Sequence, residues 1–284
     1  MAETADTADT AGRAGTVPPV RVYCFAHAGA GVSAFHGWAR SLGPDVETVP
    51  VLLPGRERRR REARLTHRAA LVAELLDQVR PEPGQPFILY GHSLGAMVAH
   101  TLTQALDEQH RPLPALLALG ACPPPDEPSE LADACTAEEG LLERLHALGA
   151  VPERAGPNGY WHRAALPVLR DDLRLAHALR TFARSPAGTG RVPVPLLAVA
   201  GDRDPLAPPD MVAGWRRWSA GPVVTRTVAG DHFFVRGDAL PRLIGRAGRV
   251  VRRLATAPVK DGRAAPAAPQ RGPRGPGRRA VPAG

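Results

Sequence analysis

Aromatic residues, cysteines and long apolar runs are scarce in this sequence. The lack of long apolar runs argues against a membrane-spanning protein, and the few cysteines argue against a disulfide-rich or cysteine-ligated metal protein. Aromatic residues make up 5% of the 284 residues, and no apolar run approaches the roughly 20 residues of a membrane-spanning helix. The three cysteines (Cys24, Cys122 and Cys135) lack metal-ligand spacing and cannot all pair internally, which favours small buried side chains in a reducing compartment. The chain begins with acidic residues and lacks the apolar stretch of a signal peptide. We therefore expect a soluble cytoplasmic protein.

Positive charge is present but unevenly distributed. The net charge is +8, and residues 258–284, with six basic residues and one acidic residue, contribute +5 of it. A basic tail without interleaved aromatic residues is typical of solvated sequence, and the rest of the chain carries an ordinary charge of about +3. We therefore expect no nucleic-acid partner.

The chain alternates strand-like and helix-like patterns. Amphipathic helices are predicted at 66–79, 209–218 and 240–254. Strands are predicted at 20–25, 48–53, 87–90, 115–119, 195–200 and 223–228. Such alternation with short connections predicts an α/β fold, in which a mostly parallel central sheet carries helices on both faces.

The alternation stops between about residues 122 and 191, where two helices stand in place of a strand. Residues 136–148 begin with a capping-box pattern, and 167–182 form a second amphipathic stretch. We predict a helical lid over the carboxyl edge of the sheet, where open α/β sheets bind ligands. The alternative is two ordinary packing helices.

Low-complexity segments flank the patterned region. Residues 1–18 are rich in Ala, Thr and Asp, and residues 257–284 are rich in Pro, Gly and Arg, so both are predicted to be disordered. Residues 19–256 then form one folded domain.

A candidate nucleophile lies where the strand 87–90 meets a helix. Gly-x-Ser-x-Gly at 91–95, between a strand and a helix, is the context of a nucleophile elbow. Glycines at both ends leave out Cβ atoms where strand and helix crowd together, and the strained turn exposes Ser93 Oγ. The alternative is a tight turn with a chance serine.

A serine nucleophile needs a base and an acid that orients it. Among ten histidines, His232 follows the last predicted strand, and the order serine, acid, histidine is the hydrolase order. The turn after 195–200 offers Asp204 as the acid, with Asp202 as the alternative. Asp231 is a poor candidate, since adjacent side chains on an extended loop diverge.

An oxyanion hole needs two backbone N–H donors, each worth about 2.7–4 kcal/mol in acyl transfer. Leu94, directly after the nucleophile, supplies one donor, and Ala28 in the glycine-rich loop 27–31 is the candidate for the other. His27 is predicted to fix this loop and not to serve as a second base.

Six ordered motifs together resemble the type II thioesterases, the discrete editing enzymes of polyketide and nonribosomal peptide assembly lines. They lie at 25–31, 53–57, 90–96, 166–174, 201–205 and 230–234. Leu-Pro-Gly-Arg-Glu at 53–57 is the motif least expected of a generic esterase. Ala26, where the family often has proline, and Ala30, where a second glycine is common, depart from the pattern but leave the backbone-donor role possible.

The resemblance implies an α/β-hydrolase fold with a helical lid, a triad of Ser93, Asp204 and His232, and no metal or cofactor. The implied reaction hydrolyses acyl groups from the phosphopantetheine arm of acyl or peptidyl carrier proteins through an acyl-serine. A monomer is expected. Two alternatives stay open: a carboxylesterase or lipase on the same fold, and a carrier-binding module without turnover.

A basic stretch follows the Leu-Pro-Gly motif. Residues 56–64 are predicted to be an exposed loop. Its arginines at 56–61 are either simply solvated or steer acidic carrier proteins toward the site.

Overall fold

A computed structural model describes residues 18–129, 131–132, 145–146, 151, 159, 161–188 and 190–257 of the chain. Its described strands form one parallel sheet in the order β2-β1-β3-β4-β5-β6. The strands are β1 (Val20–Phe25), β2 (Val46–Pro50), β3 (Phe87–His92), β4 (Leu116–Gly120), β5 (Leu196–Gly201) and β6 (Val223–Val228). Every residue of β3 and β5 is buried, as expected for parallel strands that are covered on both faces.

Helices connect the strands and cover the sheet. They are α1 (Trp38–Leu42), α2 (Arg68–Gln78), α3 (Leu94–Glu108), α4 (Leu166–Arg184), α5 (Pro209–Val212) and α6 (Ala239–Thr256). One hydrophobic core packs α2, α3 and α4 against one face, and a second packs α1 and α6 against the other. The predicted parallel sheet with helices on both faces is therefore confirmed.

Two elements differ from the sequence prediction by more than two residues at one end. The strand predicted at 48–53 begins earlier, at Val46, and its last ladder residue is Pro50, although residues 51–53 stay buried. The helix predicted at 209–218 is α-helical only over Pro209–Val212 and continues as a tighter 3₁₀ helix over Ala213–Trp218. Hydrophobic periodicity does not distinguish these two helix types over a few residues.

Strand order places a crevice above β1 and β3. From β1 the chain moves to β2 on one side and then returns to β3 on the other, so β1 and β3 flank the topological switch point. Open α/β sheets bind ligands outside the carboxyl ends of strands at such a point. The loop 27–31 and Ser93 follow directly after these two strands.

Helix α4 lies in the predicted lid region, between β4 and β5. It packs on α3, and its residues Leu166, Leu169 and Leu173 form a small apolar cluster to which Ala28 of the 27–31 loop also belongs. Most of the other predicted lid helix, 136–148, lies outside the described residues.

Some predictions concern other parts of the chain that lie outside the described residues. The segments 1–18 and 257–284 lie outside the described residues except for residues 18 and 257. Cys24 and Cys122 are buried free thiols, and Cys135 is not described. Within the described ranges, no helix has both the length and the apolar character needed to cross a membrane.

Candidate active site

The turn between β3 and α3 holds Ser93 in a strained conformation. Its φ of 55° and ψ of −116° are unusual for a residue with a side chain, and its N–H donates to Gly120 O at 2.8 Å. A Cβ atom at Gly91 would lie 1.9 Å from Gly95 O, and one at Gly95 would lie 2.0 Å from Phe25 O. Only glycine fits at both positions, for the reason that the motif suggested.

Three polar side chains form a continuous hydrogen-bonded series at the carboxyl edge. His232 Nε2 lies 3.1 Å from Ser93 Oγ, and His232 Nδ1 lies 2.9 Å from Asp204 Oδ2. Asp204 is 3% exposed and His232 is 9% exposed. Because a carboxylate only accepts hydrogen bonds, Nδ1 carries a proton and Nε2 is available to accept the proton of Ser93.

The carboxylate of Asp204 is also held by the backbone. Its Oδ1 accepts from Leu206 N at 2.9 Å and from Ala207 N at 3.2 Å. These two bonds fix the carboxyl plane in the turn after β5 and direct Oδ2 toward the imidazole. The side chain is therefore oriented before any substrate arrives.

The two neighbouring aspartates are exposed and bind the backbone instead. Asp202 Oδ1 accepts from Gly230 N, and Asp231 Oδ1 accepts from Phe233 N, each at 2.8 Å. Both carboxylates shape the loop that carries His232. Of the two candidates that the sequence left open, Asp204 is the one within hydrogen-bonding distance of the imidazole.

A second contact to His232 was not foreseen from the sequence. His92 Nε2 lies 2.8 Å from the backbone carbonyl of His232, and Tyr90 Oη lies 2.8 Å from His92 Nδ1. Since a carbonyl only accepts, His92 Nε2 must donate, and its Nδ1 must accept from the phenol. Burial lowers the pKa of His92 well below its ordinary value and raises that of Tyr90, so both groups stay neutral.

The glycine-rich loop after β1 lies beside the nucleophile. Ala30 N donates to His27 O at 3.1 Å, and Gly29 takes a φ of +78°. His27 Nδ1 donates to Ala28 O at 3.1 Å, and burial lowers the pKa of His27 to about 4. His27 is thus a neutral group that fixes the loop at neutral pH, as expected from the sequence.

A cavity of about 90 Å³ opens beside Ser93. Ala28, Leu94 and His232 line it, and its other walls are mainly apolar. These walls include Met97, Leu131, Leu145, Leu169, Leu173, Ala176, Leu206 and Phe233. The arrangement can hold a hydrocarbon group next to a serine and two backbone amides.

Cys122 and Arg180 also reach the cavity, and neither of these side chains offers a competing reactive group. Burial raises the pKa of the Cys122 thiol to about 11, so this thiol stays protonated at neutral pH. The buried guanidinium of Arg180 donates to the carbonyls of Pro123 and Pro124 at 3.1 Å. Its charge therefore holds the chain after β4 against α4.

The expectation that residues 56–64 form an exposed loop is wrong for Arg56. This side chain is 8% exposed and makes a two-point ion pair with Asp172 of α4, while Arg58, Arg60 and Arg61 are exposed. Arg59 binds Glu62 and Glu74. A charge run in the sequence does not reveal the burial of Arg56, because its partner lies 116 residues away.

In the described part of the chain, no group of three or more His, Cys, Asp or Glu side chains is arranged to hold a metal ion.

Comparison with known families identifies the chain. Residues 20–250, most of its length, match the family model of the thioesterase domain. The chain belongs to the thioesterase family. The family predicted from the motifs is therefore confirmed, and this thioesterase is an enzyme of the hydrolase class.

Individual relatives agree with this assignment. Thioesterase PikA5 of Streptomyces venezuelae is 33% identical over 219 residues, which are 76% of this chain and 75% of PikA5. The RedJ thioesterase of the prodiginine biosynthetic pathway in Streptomyces coelicolor is 31% identical, with a TM-score of 0.67 over 84% of this chain and 90% of RedJ. YbtT, a type II thioesterase from the yersiniabactin pathway, is 26% identical, with a TM-score of 0.66 over 84% of this chain and 95% of YbtT. The expected α/β-hydrolase fold is confirmed by these structures.

Proposed function

We propose that this thioesterase is a type II editing enzyme that hydrolyses acyl groups from the phosphopantetheine arm of acyl or peptidyl carrier proteins. The observation that carries the proposal is the series Ser93–His232–Asp204 beside an apolar cavity. The similarity to YbtT, a type II thioesterase from an NRPS/PKS biosynthetic pathway, and to RedJ, a thioesterase from the prodiginine biosynthetic pathway, supports the substrate class.

In the first half of the reaction, Ser93 Oγ attacks the thioester carbonyl while His232 Nε2 takes its proton. Asp204 stabilises the imidazolium that forms. The N–H groups of Leu94 and Ala28 receive the oxyanion, and the N-terminus of α3 adds its positive dipole end. The C–S bond then breaks, the imidazolium gives its proton to the departing thiolate, and an acyl-serine remains.

The second half releases the acid. His232 takes a proton from water, whose oxygen attacks the acyl-serine carbonyl, and the same two amides hold the second oxyanion. The C–O bond to Ser93 breaks, and the proton returns to Ser93 Oγ. No metal ion or cofactor takes part in either half of this proposed mechanism.

The cavity lining favours an apolar acyl group. Its walls are largely leucine, methionine and alanine, and the nearby guanidinium of Arg180 is occupied by backbone carbonyls. A carboxylate in this cavity would lose hydration, and the described lining residues include no lysine or arginine other than Arg180 to compensate for that loss. We expect hydrocarbon acyl groups to be removed faster than malonyl groups.

The principal test uses Ser93→Ala and a panel of substrates. Turnover of acyl-carrier proteins should fall by several orders of magnitude in this variant, since the triad acts as a unit. The unmodified enzyme should prefer acyl-carrier or acyl-pantetheine thioesters over p-nitrophenyl esters of the same acyl group. Turnover that survives in Ser93→Ala would refute the mechanism, and a strong preference for the oxygen ester would refute the editing role.

Exposed arginines offer a contact for the carrier protein. Arg58 and Arg60 extend from the loop that also supplies Arg56, and acidic carrier proteins are attracted by such charges. Replacement of Arg58 and Arg60 by glutamate should lower kcat/KM for an acyl-carrier protein about 10-fold at low salt and much less at 1 M salt. Acyl-pantetheine should be hydrolysed as before.

The matched control reverses Arg246 and Arg253, two exposed arginines of α6. It changes the net charge equally but should alter kcat/KM less than twofold. Equal losses of kcat/KM in the two double variants would show a general charge effect and would refute the proposed contact surface.

A further inference from the structure

A buried ion pair connects helix α4 to the loop beside the nucleophile. Arg56 NH1 and NH2 lie 2.8 and 2.7 Å from the two carboxylate oxygens of Asp172, which is 1% exposed. Two-point contacts of this kind fix the relative orientation of both side chains. The pair therefore joins the segment after β2 to the helix that covers the cavity.

Both members of the pair also bind the 27–31 loop. Asp172 Oδ2 accepts from Gly29 N at 2.7 Å, and Arg56 NH1 donates to Ala30 O at 3.1 Å. The peptide unit between Ala28 and Gly29 is thus held at both ends, since its carbonyl accepts from His27 Nδ1. The Ala28 N–H, the candidate oxyanion donor, belongs to the preceding peptide, which shares the Ala28 Cα atom with this one.

Glu57, the next residue of the Leu-Pro-Gly-Arg-Glu motif, also holds the chain that follows β1. Glu57 Oε1 accepts from Ser33 N at 3.2 Å and from Ser33 Oγ at 3.0 Å. A Cβ atom at Gly31 would lie 2.2 Å from this oxygen, so the loop passes close to the motif. Arg56 and Glu57 together hold successive parts of the chain that follows β1.

The ion pair is poorly suited to a purely stabilising role. Burial raises the pKa of Asp172 above its ordinary value despite the attraction of Arg56, so the environment does not favour the charged carboxylate over water. Buried pairs of this kind contribute little net stability compared with apolar residues. Such a pair does have a defined geometry, and its hydrogen bonds to the 27–31 loop fix the position of that loop.

We propose that Asp172 and Arg56 are positioning residues: they hold the Ala28–Gly29 peptide, and through it the adjoining Ala28 N–H, in the geometry required by the oxyanion, and they tie that geometry to the placement of α4. The inference rests on the proposed role of Ala28 in the oxyanion hole. Neither side chain touches the reacting atoms in this account. Helix α4 thereby contributes to the chemistry as well as to the walls of the cavity.

An exposed ion pair between the same two parts of the chain provides the matched control. Arg64 binds Asp171, the neighbour of Asp172 on α4, without contacting the 27–31 loop in any described interaction. The double variant Arg56→Gln with Asp172→Asn avoids leaving one charge buried alone. The double variant Arg64→Gln with Asp171→Asn removes the exposed pair in the same way.

We expect the buried-pair variant to lower kcat about 10- to 100-fold with KM changed less than threefold, because misplacement of one donor weakens transition-state binding selectively. The control variant should keep kcat within twofold. Arg56→Lys, which retains the charge but not the two-point contact, should show a smaller loss of kcat with KM again little changed. This variant replaces the double variant in the test if the double variant does not fold.

Inhibitor binding separates positioning from general damage. A trifluoromethyl ketone analogue of acyl-pantetheine, whose adduct with Ser93 places an oxyanion in the hole, should bind more weakly by the same factor as kcat falls. The corresponding thioether, which forms no adduct, should bind within threefold of its affinity for the unmodified enzyme. Parallel losses for both inhibitors, or equal losses of kcat in the control variant, would overturn the inference.

Ser93→Ala, measured beside these variants, distinguishes this inference from the proposed function. If Ser93→Ala is inactive while the buried-pair variant and Arg56→Lys turn over normally, the positioning role is wrong and the mechanism stands. If Ser93→Ala remains active, the mechanism and the inference that rests on it both fail.

Discussion

His232 and His100 are both buried histidines, but their surroundings differ. His232 lies at the carboxyl edge of the sheet, within hydrogen-bonding distance of Ser93 and Asp204. His100 lies within α3 against the rings of Trp215 and Trp218, and neither of its ring nitrogens has a partner among the described residues. Burial lowers the pKa of His100 to about 3.

The difference shows what a buried imidazole needs in order to act as a base. His100 stays neutral at pH 7 because nothing in its surroundings stabilises a positive charge. Asp204 supplies a negative charge at Nδ1 of His232, where the imidazolium of the proposed mechanism would need it. Both regions therefore bury a histidine, and within the described part of the chain they differ in that only His232 has a carboxylate, that of Asp204, beside its ring.

The largest expected effect comes from removing that carboxylate. Asp204→Asn should lower kcat on the order of 10³- to 10⁴-fold, since an amide can hold the imidazole in the wrong tautomer and does not stabilise its charge. Steady-state kinetics with an acyl-pantetheine substrate measures the loss.

Asp202→Asn is the control for that substitution, because Asp202 is exposed and the partners of its carboxylate among the described residues are Gly230 N and Arg203. Its kcat should stay within a few-fold of the unmodified enzyme. If Asp202→Asn is the more damaging change, Asp204 is not the acid of the triad.

A smaller effect is expected from the second contact to His232. His92→Phe removes the donor to the His232 carbonyl and should lower kcat about 10- to 100-fold by shifting the imidazole from its position. Tyr90→Phe keeps His92 and should cost only a few-fold. Unchanged kcat in a folded His92→Phe enzyme would show that the carbonyl contact does not position the base.

The smallest effect on turnover is expected at His100. His100→Phe should keep kcat within twofold and should not lower the free energy of unfolding at pH 7, since it removes two ring nitrogens that have no hydrogen-bond partner in the described part of the chain. In the unmodified protein the unfolded state protonates His100 near its ordinary pKa of 6.5, while the folded state does so near 3.

This pKa difference makes the stability pH-dependent in a defined direction. The contribution of neutral His100 is complete above pH 6.5 and is lost by up to about 1.4 kcal/mol per pH unit as the pH falls toward 3. Urea unfolding at several pH values should show a shallower acid loss for His100→Phe. An identical slope in both proteins would contradict the assignment of a neutral, unpartnered imidazole.

Sequence patterns were informative where a residue's role depends on its near neighbours. Ser93, Asp204 and the loop 27–31 each follow a strand, and parallel strands bring their carboxyl ends to one edge. The sheet and these positions could therefore be predicted from local periodicity and motif order.

Contacts between distant parts of the chain could not be predicted in this way. The run of arginines around Arg56 predicts an exposed loop. Arg56 is instead buried in an ion pair with Asp172. His92 is a variable position of the Gly-x-Ser-x-Gly motif, so the motif assigns it no role. Its bond to the His232 carbonyl spans 140 residues. Such pairs depend on how helices and loops pack across the sheet, which one sequence does not show.

The most direct test of the proposed mechanism is detection of the acyl-enzyme. The enzyme is mixed with an acyl-carrier protein bearing the slowest acyl group of the panel, quenched in acid within the first turnover and analysed by peptide mass spectrometry. We predict a burst of free thiol equal to the enzyme concentration and an acyl group on Ser93, with neither in Ser93→Ala. A burst of thiol with the acyl group on Cys122 or another residue, or with no acylated peptide, would contradict the account.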